Sequence, residues 1–71
     1  MTNHKETPAV FAALTIADAQ ELATVYQEEV VVWYDNNSQS LDYCRGYKFD
    51  ETRFGDDVVF YIDEDGEIIL A

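Results

Sequence analysis

The residues best able to do chemistry in this chain are carboxylates, several of which are adjacent in sequence. Adjacent pairs occur three times, at Glu28/Glu29, Asp50/Glu51 and Asp56/Asp57. General acid–base catalysis needs two carboxylates in different environments of one cleft, so that their pKa values are pushed apart. These pairs fall in predicted loops or at the ends of predicted elements, where water keeps both members ionised. The pattern therefore predicts no enzyme activity.

The segment from Asp63 to Ile68 is similar to the middle of a calcium-binding EF-hand loop. If Gly66 takes loop position 6, position 1 is Tyr61, which offers no suitable ligand. Position 12, which supplies the bidentate glutamate of such loops, would fall beyond Ala71. A tight turn with charged flanks explains the segment better. We predict no metal site and no cofactor.

Nucleophilic catalysis is not predicted either, because the required residues are too few. His4 is the only histidine and Cys44 the only cysteine. A single thiol cannot form an intramolecular disulfide and fits a reducing compartment, so we expect a cytoplasmic protein in which Cys44 is a small, half-buried apolar residue. No apolar run is long enough for a signal peptide or a membrane span.

The balance of charge and hydrophobicity predicts a folded, very acidic domain. The 71 residues include 15 Asp and Glu against 4 Lys and Arg, giving a formal charge of −11. Because 48% of the residues are hydrophobic, a core can form despite this charge. We expect one domain over residues 1–71, with residues 1–6 disordered. Four cations cannot build a basic patch, so direct binding to nucleic acid or an anionic membrane is not expected.

The first half of the chain predicts one or two helices. Thr7-Pro8 is a typical helix start, and a first helix is expected to end near Leu14. Thr15 to Asp18 forms a variant capping box that would open a second helix, placing Asp18 and Glu21 in its first turns, where the helix dipole favours anions. Apolar residues then recur at helical spacing: Ile16, Ala19, Leu22, Ala23, Tyr26 and Val30.

The second half predicts short strands separated by turns. The expected strands are 30–34, 41–49, 58–62 and 67–70, with an acidic loop at 50–57 and a tight turn at Glu64-Asp65-Gly66. Short connections favour antiparallel pairing of consecutive strands. We therefore predict an α+β fold with one or two N-terminal helices packed on one face of a small antiparallel sheet of three to four strands. One sheet edge stays open, so a homodimer paired through that edge is a further expectation.

Three of the four cations lie close together in the sequence. Arg45, Lys48 and Arg53 fall among acids. We expect them to pair with nearby carboxylates and hold the loop; the alternative is a small positive spot within an acidic face. The expected carboxylate partners are Asp42, Asp50 and Glu51.

The acids are concentrated toward the C-terminus, where eight of the fifteen lie between Asp50 and Glu67. On strands, alternate outward residues are about 6–7 Å apart, which is comparable with the spacing of phosphates along a nucleic acid. A folded surface carrying carboxylates in this way could compete with nucleic acid for a basic groove.

This composition resembles that of small acidic inhibitors encoded by phages and mobile elements, namely DNA mimics, antirestriction proteins and anti-CRISPR proteins. The resemblance implies a non-catalytic inhibitor that blocks a basic nucleic-acid-binding protein, such as a CRISPR effector, nuclease or toxin, in the host cytoplasm. The residues predicted to bind this partner are Glu28, Glu29, Asp35, Asp42, Asp50, Glu51, Asp56, Asp57, Asp63, Glu64, Asp65, Glu67, Tyr34, Tyr43 and Tyr47.

Two other functions remain open at this point. An antitoxin or immunity protein would neutralise a basic toxin or nuclease through aromatic anchors, which are common at binding hot spots. A generic haloadapted structural domain would use its acids only to hold water. The aromatic content of the chain, 14%, makes the second of these less attractive.

Overall fold

The computed structural model describes the backbone of residues 7–71 and side chains from residue 13 onward. Its elements are α1 (Thr7–Tyr26), β1 (Val30–Asp35), β2 (Ser40–Arg45), α2 (Glu51–Phe54), β3 (Val58–Ile62) and β4 (Ile68–Leu70), with 3-10 turns at Gly46–Lys48 and Gly55–Asp57. The four strands form one antiparallel sheet, and α1 packs against it. The predicted α+β fold is confirmed. The disorder expected for residues 1–6 concerns a segment outside the described residues.

The first helix is continuous, so the predicted break at Thr15 is wrong. Residues 7–26 form one 20-residue helix. A threonine inside a helix costs less than about 1 kcal/mol relative to alanine, and no glycine or proline follows Pro8 in this segment to interrupt the hydrogen bonding. Asp18 and Glu21 therefore lie in the middle of α1. There, they gain nothing from the helix dipole, whose influence is confined to the terminal turns.

The helix ends in a Schellman arrangement. Gln27 has a φ of 53°, in the left-handed region. The Glu28 N–H donates to the Ala23 carbonyl at 3.1 Å, which is the six-to-one hydrogen bond of this motif. The chain turns away at this point, so Tyr26, predicted to belong to the buried face of the helix, is 53% exposed.

The sheet has the order β2-β1-β3-β4, which differs from the predicted meander. β3 pairs with β1 rather than with β2. Residues 46–57, which we call the crossover, pass over β1 on the face opposite α1. β2 ends at Arg45 rather than Phe49, and the predicted loop at 50–57 contains α2.

Both faces of β1 are buried. On the α1 side the core consists of Ala19, Ala23, Val30, Val32, Phe60 and Ile62. On the other side, the Trp33 ring centroid lies 5.2 Å from that of Phe49 and 5.1 Å from that of Phe54, both in the crossover. This two-sided burial explains why Val30 to Trp33 is an uninterrupted apolar run instead of an alternating one.

β4 is an edge strand, and among the described strands it pairs only with β3. Its three residues Ile68, Ile69 and Leu70 are exposed. An edge of this kind offers free backbone hydrogen-bonding groups to another chain. Homodimer formation through this edge stays a prediction.

Candidate protein-binding surface

Several of the predicted binding acids serve the local structure of the chain. In each case a carboxylate oxygen accepts a hydrogen bond from a backbone N–H near in sequence, as side chains in Asx turns and helix caps do. The donors are Asn37 to Asp35 at 2.8 Å, Tyr43 to Asp42 at 2.9 Å and Arg53 to Asp50 at 3.2 Å. These charges remain at the surface, but their side chains are held in place by the fold.

Asp63 organises the turn between β3 and β4. Its Oδ1 accepts hydrogen bonds from the N–H groups of Asp65 and Glu67, each at 2.9 Å. Gly66 in the same turn has a φ of +86°, a conformation that favours glycine. The Gln20 side chain of α1 donates to the Gly66 carbonyl at 3.0 Å. The segment that is similar to an EF-hand loop is thus a turn closed by its own carboxylate and tied to α1.

The strongest ion pair joins Arg45 to Glu28. Arg45 Nε donates to Glu28 Oε2 at 2.6 Å and Arg45 Nη2 donates to Glu28 Oε1 at 2.9 Å. The guanidinium carbon lies 4.2 Å from the ring centroid of Tyr26 and 4.9 Å from that of Tyr47. The partners expected for Arg45, in or near the acidic loop, are wrong, since the Schellman turn places Glu28 beside the end of β2.

This pairing predicts an acid-labile contribution to stability. The hydrogen bonds from Arg45 lower the pKa of Glu28, so the ion pair stabilises the fold above the ordinary glutamate range and is lost as pH falls through the lowered pKa. We expect Glu28→Gln to lower the melting temperature at pH 7, and the difference from wild type to vanish as pH falls below the ordinary glutamate range and through the lowered pKa of Glu28. Thermal unfolding followed by circular dichroism at several pH values measures this.

Glu29→Gln is the matched control, because it removes the same charge from a neighbouring carboxylate that accepts no hydrogen bond from the described residues. Equal melting temperatures for the two variants at pH 7 would contradict the stabilising role of the pair.

The other described cations also lie against aromatic rings. Lys48 Nζ is 5.7 Å from the ring centroid of Tyr47, and the Arg53 guanidinium carbon is 4.9 Å from that of Phe54. Together with Arg45, these cations lie in or beside the crossover. The positive charge of the described surface is therefore confined to one region.

The remaining described carboxylates neither accept backbone hydrogen bonds nor form an ion pair within the described residues. Nine of them accept no hydrogen bond from the described residues: Asp18, Glu21, Glu29, Glu51, Asp56, Asp57, Glu64, Asp65 and Glu67. None of the charged side chains described is buried. These nine lie outside the strands, in helices, turns and the residues that flank strands, so the expected ladder of acids along strands is wrong: β3 and β4 hold only apolar and aromatic residues.

A shallow groove between α1 and β2 was not predicted. Its volume is about 290 Å³ and its lining residues are Asp18, Glu21, Leu22, Val25, Tyr26 and Tyr43. Burial raises the pKa of Tyr43, and the nearby charges of Asp18, Asp42 and Glu21 raise it further. The sequence reading missed Asp18 and Glu21, because the capping box appeared to explain them. Of the predicted aromatics, Tyr34 and Tyr47 are exposed while Tyr43 is half-buried.

A second cleft of about 190 Å³ lies between the sheet and the crossover, with Glu29 and Glu51 among its lining residues. These two volumes are below the roughly 300–1,000 Å³ typical of small-molecule sites. A further open depression of about 390 Å³, lined by Glu28, Glu29, Gly46 and Tyr47, lies at the lower end of that range.

Cys44 is half-buried and not in a disulfide. Burial raises the pKa of its thiol, and the charge of Asp42 acts in the same direction, so the unreactive thiol form persists at neutral pH. Within residues 7–71, no three His, Cys, Asp or Glu side chains converge as metal ligands would. In the same part of the chain, no helix has both the length and the apolar character that crossing a membrane requires.

No model of a protein family, no curated protein and no solved structure matches this chain. The fold class and the surface chemistry are therefore the basis for a functional proposal. The surface chemistry indicates which kind of partner the protein could bind.

Proposed function

We propose that this protein is a non-catalytic inhibitor that binds a basic nucleic-acid-binding protein and blocks its nucleic-acid site. The observation that carries the proposal is the set of nine carboxylates that accept no hydrogen bond from the described residues. The described surface carries only three cations against these nine carboxylates, and one of the three, Arg45, is paired with Glu28. The charge available to a partner is therefore strongly negative.

Such a surface suits a basic partner for two physical reasons. Opposite charge steers diffusional encounter and raises the association rate. Occupation of a nucleic-acid groove by protein carboxylates also replaces the counterions that a free groove holds. The carboxylates repel each other in the folded chain, which costs stability in a domain of 71 residues. A function in binding offers a reason for carrying that cost.

The protein class that fits these properties is the small acidic inhibitor of phages and mobile elements, as in anti-CRISPR or antirestriction proteins. Its site of action would be the cytoplasm of the host cell, where the target protein works. The target would be a CRISPR effector, a nuclease or another protein with a basic nucleic-acid channel.

An antitoxin or immunity protein is the second candidate, favoured by the exposed aromatic residues. Tyr26 is 53% and Tyr47 68% exposed, and both flank the Arg45–Glu28 pair. Aromatic residues next to an ordered arginine are typical anchors of a shape-specific interface. In that case Tyr47→Ala would weaken binding to the partner more than neutralisation of carboxylates does.

The test is capture of the target from a lysate of the organism that encodes the protein or of its host. We expect immobilised protein to retain a nucleic-acid-binding protein that elutes with salt and with competing oligonucleotide. The variant Asp56→Asn/Asp57→Asn/Glu64→Gln/Asp65→Asn should bind the purified target at least about tenfold more weakly, a loss of about 1.4 kcal/mol. It leaves Asp63 intact because that residue holds the turn.

The charge-preserving variant Asp56→Glu/Asp57→Glu/Glu64→Asp/Asp65→Glu is the control and should bind nearly as wild type. Calorimetry gives both affinities, and a gel-shift assay shows whether the protein displaces nucleic acid from the target. Undiminished binding by the neutralised variant, or a ternary complex with nucleic acid still bound, would contradict the proposal.

A further inference from the structure

We propose that the groove between α1 and β2 accepts an arginine side chain of the basic partner. This inference rests on the proposed function, and it names the part of the partner that the groove would recognise. The groove has a volume of about 290 Å³, just below the lower end of the range for ligand sites, which is sufficient for one long side chain.

The carboxylates of the groove have no explanation in the stability of α1. Asp18 and Glu21 lie three residues apart in the middle of the helix, where like charges on one face repel each other. Neither accepts a hydrogen bond from the described residues. Asp42 of β2 also lies near Tyr43, so three negative charges surround one tyrosine. A cation from outside would relieve this repulsion.

Two apolar side chains line the groove, which fits the aliphatic part of an arginine. Leu22 is half-buried and Val25 is 68% exposed. Burying both against the methylene groups of a long side chain would stabilise the complex by removing apolar surface from water. The rings of Tyr26 and Tyr43 complete the lining.

Arginine is favoured over lysine because of its planar, delocalised charge. A guanidinium stacks on aromatic rings and donates to several carboxylate oxygens at once, whereas an ammonium is a compact and strongly hydrated charge. The chain itself holds an arginine in this manner: Arg45 contacts the rings of Tyr26 and Tyr47 while it donates two hydrogen bonds to Glu28. The groove also combines Tyr26 with carboxylates, and no described cation is among its lining residues.

The groove can be tested without the partner by titrating the protein with N-acetyl-arginine amide and recording NMR spectra. We expect saturable shift changes at Leu22, Val25 and Tyr43, reduced at least about threefold in Asp18→Asn/Glu21→Gln. N-acetyl-lysine amide should cause smaller changes at the same positions. Equal responses to the two amides, or shifts spread evenly over the acidic surface, would overturn the proposal.

A second comparison uses the purified target and two variants that each remove two charges. Asp18→Asn/Glu21→Gln changes the groove, and Glu64→Gln/Asp65→Asn changes the turn after β3. We expect the groove variant to lose at least about fivefold more affinity. Equal losses would overturn the groove and leave the proposed function standing, while no loss in either variant would count against both.

Discussion

Replacing Trp33 with alanine is expected to remove a large fraction of the free energy of unfolding. Trp33 is 6% exposed, and its ring packs on Phe49 and Phe54, which attach the crossover to the sheet. Removing a buried tryptophan costs about 3–5 kcal/mol. A domain of this length has a free energy of unfolding of only about 4–10 kcal/mol. Urea denaturation followed by circular dichroism would show this loss as a large decrease in the denaturation midpoint.

Trp33→Phe is the matched control and should be much milder. The Trp33 Nε1 atom is buried and has no hydrogen-bond partner among the described residues. Phenylalanine therefore loses ring volume but no observed hydrogen bond, and it removes a buried unpaired donor. We expect a loss of about 1–2 kcal/mol, in the range of other moderate core changes. If the phenylalanine and alanine variants were equally destabilised, ring packing against the crossover would not be the cause.

The second large effect is expected at Asp63, where alanine should cost about 2 kcal/mol of unfolding free energy. Hydrogen bonds to a charged acceptor are worth about 1.5–3 kcal/mol, and Asp63 Oδ1 accepts two. Because Asp63 is half-exposed, water can replace part of both hydrogen bonds, so we expect less than the sum of two such bonds. Losing the turn also loosens the Gln20 contact to Gly66, which joins α1 to the hairpin.

Two controls separate the turn from the charge. Asp63→Asn keeps an oxygen acceptor and should retain most of the stability. Asp65→Ala removes a charge whose carboxylate accepts no hydrogen bond from the described residues, and in a chain of charge −11 this should leave stability unchanged or slightly higher. Thermal and urea unfolding measure all three variants. Similar losses for Asp63→Ala and Asp65→Ala would show that charge, and not the turn, matters.

The strands could be predicted because their signals are local. Val58–Ile62 is confirmed with its predicted bounds, and β1 extends the predicted strand by a single residue, to Asp35. The hairpin around Gly66 is also confirmed, since a positive φ at a glycine and the flanking acids are properties of neighbouring residues. The buried positions Ala19 and Ala23 followed from helical spacing in the same way.

The candidate surface was harder to predict, because the neighbouring sequence of a carboxylate does not show whether it binds within the chain or is free to bind another protein. Glu28 and Asp63 were predicted to bind another protein along with the other acids. In the fold, each accepts hydrogen bonds from this chain instead, Glu28 from Arg45 and Asp63 from backbone N–H groups. Conversely, Asp18 and Glu21 were assigned to a helix start that is not present. The difference lies in contacts between residues distant in sequence, which composition and periodicity do not contain.

By itself, the sequence determined the net charge, the small number of cations and most of the strand segments, because each depends on residue type or on immediate neighbours. Only the tertiary structure decided which carboxylates are committed within the chain, as Glu28 is to Arg45 seventeen residues away. It also decided that the crossover passes over β1, since Trp33 buries its ring best beneath Phe49 and Phe54. Burial of apolar surface stabilises the contacts of Trp33 and brings β1, β2 and the end of α1 together, which places Arg45 beside Glu28. Both results depend on contacts between residues distant in the sequence.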